Sequence, residues 1–361
     1  MMKRILAALI LTLAALPLSA EVTAGMPSGF SDASCADTTF VQRTVAFVNG
    51  IVDRFNELPP VRVFKAKDTT FYSPPPGDWT VTLKGNVFGS RIWGNTRADG
   101  RNYRMTLTSR YVLAPSVSVG YKGVSIGYSF NPWERRHADV RYDLSAYSNM
   151  AGIDATYRMI SSFRGYVSAD GERLGEISEQ DVTQRLLSAN AFYVFNYRHY
   201  SFPGSISQSY VQHRSSGSLV AGVSYSRSLT DVPPVLSSPM LRVDADLFAV
   251  GAGYGYTVVL PSRWQVMAAL LPKFVVFDSR SLRISYDEDG ERHNVRYDFR
   301  EMFRRPEGTL NGYFAVVHWF GGERWFMAAT ASLDGFTIGP HAAFRLTQYR
   351  WESHLCLGVR L

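Results

Sequence analysis

The sequence predicts an all-β protein: a transmembrane, antiparallel, up-and-down β-barrel of about 12 strands, within a range of about 10–14, with a short N-terminal amphipathic helix. Three observations predict it. First, apolar residues alternate with small or polar ones over long stretches. Leu113, Pro115, Val117, Val119 and Tyr121 occupy odd positions before Lys122-Gly123, and Val124, Ile126 and Tyr128 occupy even positions after it. The parity flips across the pair, as a two-residue hairpin requires. Second, 14% of the residues are aromatic, more than a soluble sandwich calls for and in keeping with girdles at two bilayer interfaces. Third, the chain opens like an exported protein, yet no later segment holds the ~18 uninterrupted apolar residues of a membrane helix.

The elements follow in order. Lys3 and Arg4 precede an apolar run from Ile5 to Leu18, and Ser19-Ala20 offers a small-residue cleavage site before Glu21. Residues 1–20 therefore read as a secretory signal peptide. Residues 21–78 read as a periplasmic segment. Within it Val41, Val45, Val48, Val52 and Phe55 recur at helical spacing, which predicts an amphipathic helix over 40–58, stopped by Pro59-Pro60. Pro74-Pro75-Pro76-Gly77 marks the way into the barrel at 79–361. Trp79, Val81, Leu83 and Val87 begin the outward face. Val140 to Ala146, Ile153 to Phe163, Phe248 to Val258 and Trp264 to Phe274 continue it, and Leu355, Leu357, Val359 and Leu361 end it.

Loop lengths set the strand count. Short connections fall at Lys122-Gly123, Ser148–Gly152, Asn196–Ser201, Pro261–Arg263 and Gly321–Arg324. Longer ones fall at 89–102, 131–137, 167–183, 230–242, 285–308 and 335–341. Short periplasmic turns alternating with long external loops give about 12 strands, provided 203–229 is one long strand. The stretch Gln208 to Gly217 fits that least well.

Net charge is +7, with a pI near 9.3. No nucleic-acid motif accompanies it, so no nucleic-acid partner is expected. Lipopolysaccharide phosphates are the expected anionic partner, together with outer-membrane lipid. Arg101, Arg104, Arg135, Arg136, Arg304 and Arg305, on predicted external loops, are candidate contacts, because guanidinium suits phosphate. Cys35 and Cys356 make neither a disulfide framework nor a metal site. A bridge between them would tie the N-terminal segment to the last strand. No metal and no cofactor is expected.

Two constellations face the predicted lumen. Asp139, Arg141, Asp143, Asp154, Arg158 and Arg164 form a wall of charge opposite the apolar face. Such a wall selects permeants in a wet lumen, or fills a narrow one with ion pairs. Gly251, Gly253 and Gly255 form a smooth inward stripe, which either receives a helix or ligand or relieves curvature. His137, His199, His213, His293, His318, His341 and His354 sit in no recognisable nucleophile, metal or phosphate motif, so no enzyme is expected.

The chain resembles an uncharacterised family of outer-membrane β-barrels, a domain of unknown function of Bacteroides-type bacteria. The likeness runs over residues 68–361. It is carried by Gly120-Tyr121-Lys122-Gly123 with Gly127 and Phe130-Asn131, and by Tyr193 to Asn196. It is also carried by Gly217-Ser218-Leu219 with Gly222, and by Gly253-Tyr254-Gly255-Tyr256 running to Leu260-Pro261 and Trp264. The helix at 40–58 is longer than the family leads one to expect. The resemblance implies an outer-membrane location and no known activity. The amphipathic last strand is the element that barrel assembly machinery would recognise; no other protein partner is indicated. The leading functional expectation is a narrow channel or transporter for small molecules. The alternatives are a non-conducting structural or surface-interaction barrel and, third, a lipid-modifying enzyme.

Overall fold

The computed structural model describes residues 68–98, 101–129, 139–178, 181–232, 240–288, 291–302, 308–338 and 344–361. The leader, the helix expected at 40–58 and Cys35 lie outside the described residues. A two-residue strand, β1 (Tyr72–Ser73), precedes the barrel. β2 (Trp79–Ala98) rises and returns as β3 (Arg101–Ser109) and β4 (Val112–Tyr121). β5 (Val124–Ser129) and β6 (Val140–Tyr147) are short. β7 (Ala151–Ile160) leads to the hairpin β8 (Phe163–Ala169) and β9 (Glu172–Ile177), and β10 (Thr183–Val194) descends. After helix α1 (Phe202–Ile206) and β11 (Val211–Gln212) come β12 (Ser216–Val232), β13 (Met240–Leu260) and β14 (Trp264–Glu288). β15 (Glu291–Met302), β16 (Gly308–Phe320), β17 (Trp325–Ile338) and β18 (Phe344–Arg360) complete the chain.

Twelve of these make the wall among the described residues, and β18 closes it on β2 in antiparallel register from Arg360 against Thr80 to Phe344 against Thr96. Closure leaves the twelve wall strands with a neighbour on either side, the condition for strands to stand in lipid. No described helix is long and apolar enough to cross a membrane, so the strands do the crossing. The turn Lys122-Gly123 has φ of 47° and 95°, the two positive angles that a type I′ hairpin needs. Its parity flip puts Leu83, Ile126, Leu219 and Leu355 outside, where they are 58–71% exposed. Exposure on that scale marks a lipid-facing belt rather than a misplaced core.

Aromatic rings border the belt. Trp79 lies 4.7 Å from Tyr121, and Trp264 stacks on His318 at 4.5 Å, at the end carrying the short turns. Tyr111 with Trp351, and Trp93 with Tyr349, mark the other end. Both barrel ends of the chain and the short turns share one side, the side that faces the periplasm in bacterial barrels.

Three expectations need correction. The segment 203–229 is not one strand. Pro203 with Ser201, whose hydroxyl accepts from the Gly204 N–H at 3.1 Å, starts α1, Gln208 takes a φ of 54°, and β12 begins only at Ser216. The connection from Phe195 to Ser215 is therefore long and lies at the end of the short turns, and the count of twelve survives because it replaces the expected turn at 196–201. The stretches 89–102 and 285–308 are mostly strand, in β2–β3 and β14–β15, because alternation continues above the membrane. Finally, Ser161-Ser162 interrupts the strand run between β7 and β8, which pair with different neighbours. The interruption shifts parity by one: Phe163 is fully buried, and Arg164, expected inside, is exposed on the outer wall. β8 then pairs with β3, closing the wall above the short β5–β6 hairpin.

Candidate functional site: a closed lumenal chamber

The inward positions stack in layers. Nearest the outside is a dry core. Ile92, Leu107, Ile160, Phe163, Leu247 and Phe336, from six strands, pack together at 5% exposure or less. Below it, Gln348 on β18 reaches Gln184 on β10, Nε2 to Oε1 at 3.2 Å. These strands stand six places apart in a wall of twelve, so the contact crosses the barrel at its diameter. Gln348 also donates to Ser90, and Gln184 to Ser228 and Thr230, so the bridge is held at both ends.

Under the bridge lies a chamber of about 250 Å³ lined by charged, hydroxylated and apolar side chains. Arg141 ties Asp143 on its own strand (2.8 Å) to Glu352 on β18. Glu352 accepts from Ser332 and lies 3.5 Å from His354 Nε2, whose Nδ1 is 2.7 Å from Asn86. Arg350 pairs with Asp334, and Asn190 donates to Asp154 at 2.8 Å. Each of these side chains is inward because each shares parity with Ser, Thr and Gly on a strand whose other face is apolar.

The floor is the connection 195–215, folded up into the periplasmic mouth. Phe202 packs edge-on against Phe192 (4.9 Å) and Tyr313 (5.7 Å), both lumenal. Tyr200, Tyr210 and Phe202 are buried, Phe202 and Tyr210 in a segment the sequence suggests is one long strand. Arg360, next to the chain's last residue, holds the loop by donating to Thr80 and to the Gln208 carbonyl. Gln265 donates to the Gln212 carbonyl at 2.8 Å. The N-terminal segment joins in: β1 pairs with β11, and the Tyr72 hydroxyl donates to the Tyr197 carbonyl. Burial pushes the Tyr72 phenol up to about 12. Asp68 is held below the usual carboxylate range by the Thr70 hydroxyl and N–H.

The predicted residues divide as follows. Arg141, Asp143, Asp154 and Arg158 line the chamber. Arg141 stands directly opposite Arg158, and Asp143 is diagonal to Arg158. Asp139 lies at the Ser161-Ser162 break instead, accepting from the Ser161 N–H and the Ser162 hydroxyl. Gly251, Gly253 and Gly255 do face inward. A Cβ on Gly255 would meet the Tyr200 hydroxyl at 2.5 Å, so the loop rests on it. Gly251 and Gly253 sit where β13 and β14 press backbone to backbone, and Ala252 and Gly253 have no partner in that ladder. Arg101 and Arg104 are exposed near the outer end of β3, and Arg104 Nε donates to Asn95. Arg135, Arg136, Arg304 and Arg305 lie outside the described residues.

Sequence reasoning missed Glu352, Arg350, Asp334, Gln348 and Gln184. The signal was present. The even-numbered face read at His354, Cys356 and Arg360 extends back through Glu352 and Arg350 to Gln348.

These features define an outer-membrane β-barrel. Residues 66–360 match the family described as a domain of unknown function, DUF4421, and the chain belongs to that family. No curated protein matches in sequence. Among solved structures, the outer-membrane protease OmpT of Escherichia coli is similar at 9% identity, over 80% of this chain and 98% of that one, with a TM-score of 0.45. The toluene transporter TodX of Pseudomonas putida is similar at 8% identity, over 79% and 91%, with a TM-score of 0.26. A FadL homologue of Pseudomonas aeruginosa is similar at 9%, over 78% and 90%, with a TM-score of 0.22. Such likenesses carry no argument about chemistry.

Proposed function

We propose that this barrel is a gated passage for small polar molecules, shut in the described conformation. One observation carries the reading: the chamber's floor is a loop, not a wall. A loop held by side chains can leave while the strand ladders stay paired. The charged chamber above it then supplies selectivity. In this reading the leader at 1–20 exports the chain, the assembly machinery takes β18, lipopolysaccharide surrounds the outer end, no catalysis is involved, and the source is a Bacteroides-type bacterium.

The dry core above the glutamine bridge favours a second reading, a non-conducting barrel that stabilises the envelope. Planar-bilayer recording of the refolded full chain separates the two. The passage reading expects discrete steps that become frequent when residues 200–210 are replaced by a glycine-serine linker of equal length. A silent barrel in both forms, with folding verified by heat-modifiable gel mobility, overturns it.

A further inference from the structure

We propose that the chamber binds a small hydroxylated monoanion, its carboxylate seated on Arg158. The inference deepens the passage reading and rests on it for the route in.

Arg158 is 3% exposed and lines the chamber. Its guanidinium carbon stands over Phe88, 3.7 Å from the ring centre. Its side-on fork, Nε and Nη2, is buried and has no hydrogen-bond partner among the described residues. Two donors of a buried cation left unmatched are costly, and two parallel N–H groups match one carboxylate.

The neighbours do not fill this need. Arg141, Arg350, Glu352 and Asp139 are the charges nearest in influence. Arg141 is committed to Asp143 and Glu352, and Arg350 to Asp334. Asp139 is turned to Ser161 and Ser162. Five basic and four acidic side chains line the chamber, an excess of one positive charge. A monoanion cancels it, whereas a phosphate dianion would overshoot.

The remaining lining states the rest of the ligand. Ser118, Ser188, Thr82 and Thr330 are among the lining residues, and their hydroxyls suit a hydroxylated ligand. A hexuronate combines one carboxylate with several hydroxyls at a size suited to about 250 Å³.

The test is equilibrium dialysis of radiolabelled glucuronate against the full-length barrel refolded in detergent, with glucose as the neutral counterpart. Saturable binding of glucuronate, not displaced by glucose, is expected. Arg158→Gln should weaken it about tenfold or more, the loss of a charge-assisted bidentate pair. Arg158→Lys, which keeps the charge and loses the fork, should bind at an intermediate level, and folding of both variants is checked by heat-modifiable mobility. Equal binding by the wild type and a folded Arg158→Gln variant, or no saturable binding by the wild type, overturns the proposal. Binding without conductance would uphold this site and sink the passage. Conductance without binding would do the reverse.

Discussion

The two closures of the lumen are built from different materials. Near the outside, side chains of the wall itself meet across the barrel: the apolar cluster around Phe163 and Leu247, and the Gln184–Gln348 bridge. Near the periplasm, a loop enters from outside the wall and is held by Arg360, Gln265 and the β1–β11 pair. The first closure cannot part without unpacking the fold. The second can leave while all twelve strands stay paired. The comparison teaches that a blocked lumen is not one property: a wall-made stop belongs to the packed fold, and a loop-made stop is the part that gates the proposed passage.

The largest effect expected is on conduction. The glycine-serine replacement of 200–210 should turn rare bilayer steps into frequent ones, while Phe163→Ala should leave step frequency at the wild-type level. In thermal unfolding Phe163→Ala removes a fully buried ring and should cost about 3–5 kcal/mol.

Arg141→Gln comes next. It leaves Glu352 without its guanidinium partner inside the barrel, and unfolding should be easier by about 3 kcal/mol. Double-mutant cycles with Glu352→Gln should recover part of that loss.

A smaller effect is expected of Arg360→Gln. It removes the donors to Thr80 and the Gln208 carbonyl. The loop should then open more often, visible as faster amide exchange at 205–212 with β-strand protection unchanged.

The smallest effect concerns Asp68 at the N-terminal tie. Thr70 lowers its pKa, with His199 and Arg214 nearby. A depressed carboxylate stabilises above its unfolded value and loses that contribution as pH falls through the lower folded value. The tie at β1 should therefore loosen only below about pH 3.8, and Asp68→Asn should abolish that step in a pH series of exchange at 71–73.

Alternation made the wall legible: Tyr121 to Val124 and Leu355 to Leu361 assigned faces that the ladders share. The strand count was legible because turn chemistry at Lys122-Gly123 and Pro261–Arg263 is local. The floor was not. Tyr200, Phe202 and Tyr210 lie in no periodic run, and a loop that packs inward carries the same composition as one that does not. Arg164 was misplaced for a related reason, since the break at Ser161-Ser162 depends on Asp139 accepting both serines, a contact between separate strands. Glu352 was readable by parity, but its partnership with Arg141 is set by barrel closure, which brings β18 within reach of β6.

The most direct test locks the floor in place. Ser205 Oγ and Thr257 Oγ1 lie 3.4 Å apart, joining α1 to β13, close enough for a disulfide at those positions. In a Cys35→Ser, Cys356→Ser background, Ser205→Cys with Thr257→Cys should silence the barrel when oxidised and restore wild-type steps on reduction. Equal behaviour in the two redox states, conducting or silent, would contradict the account.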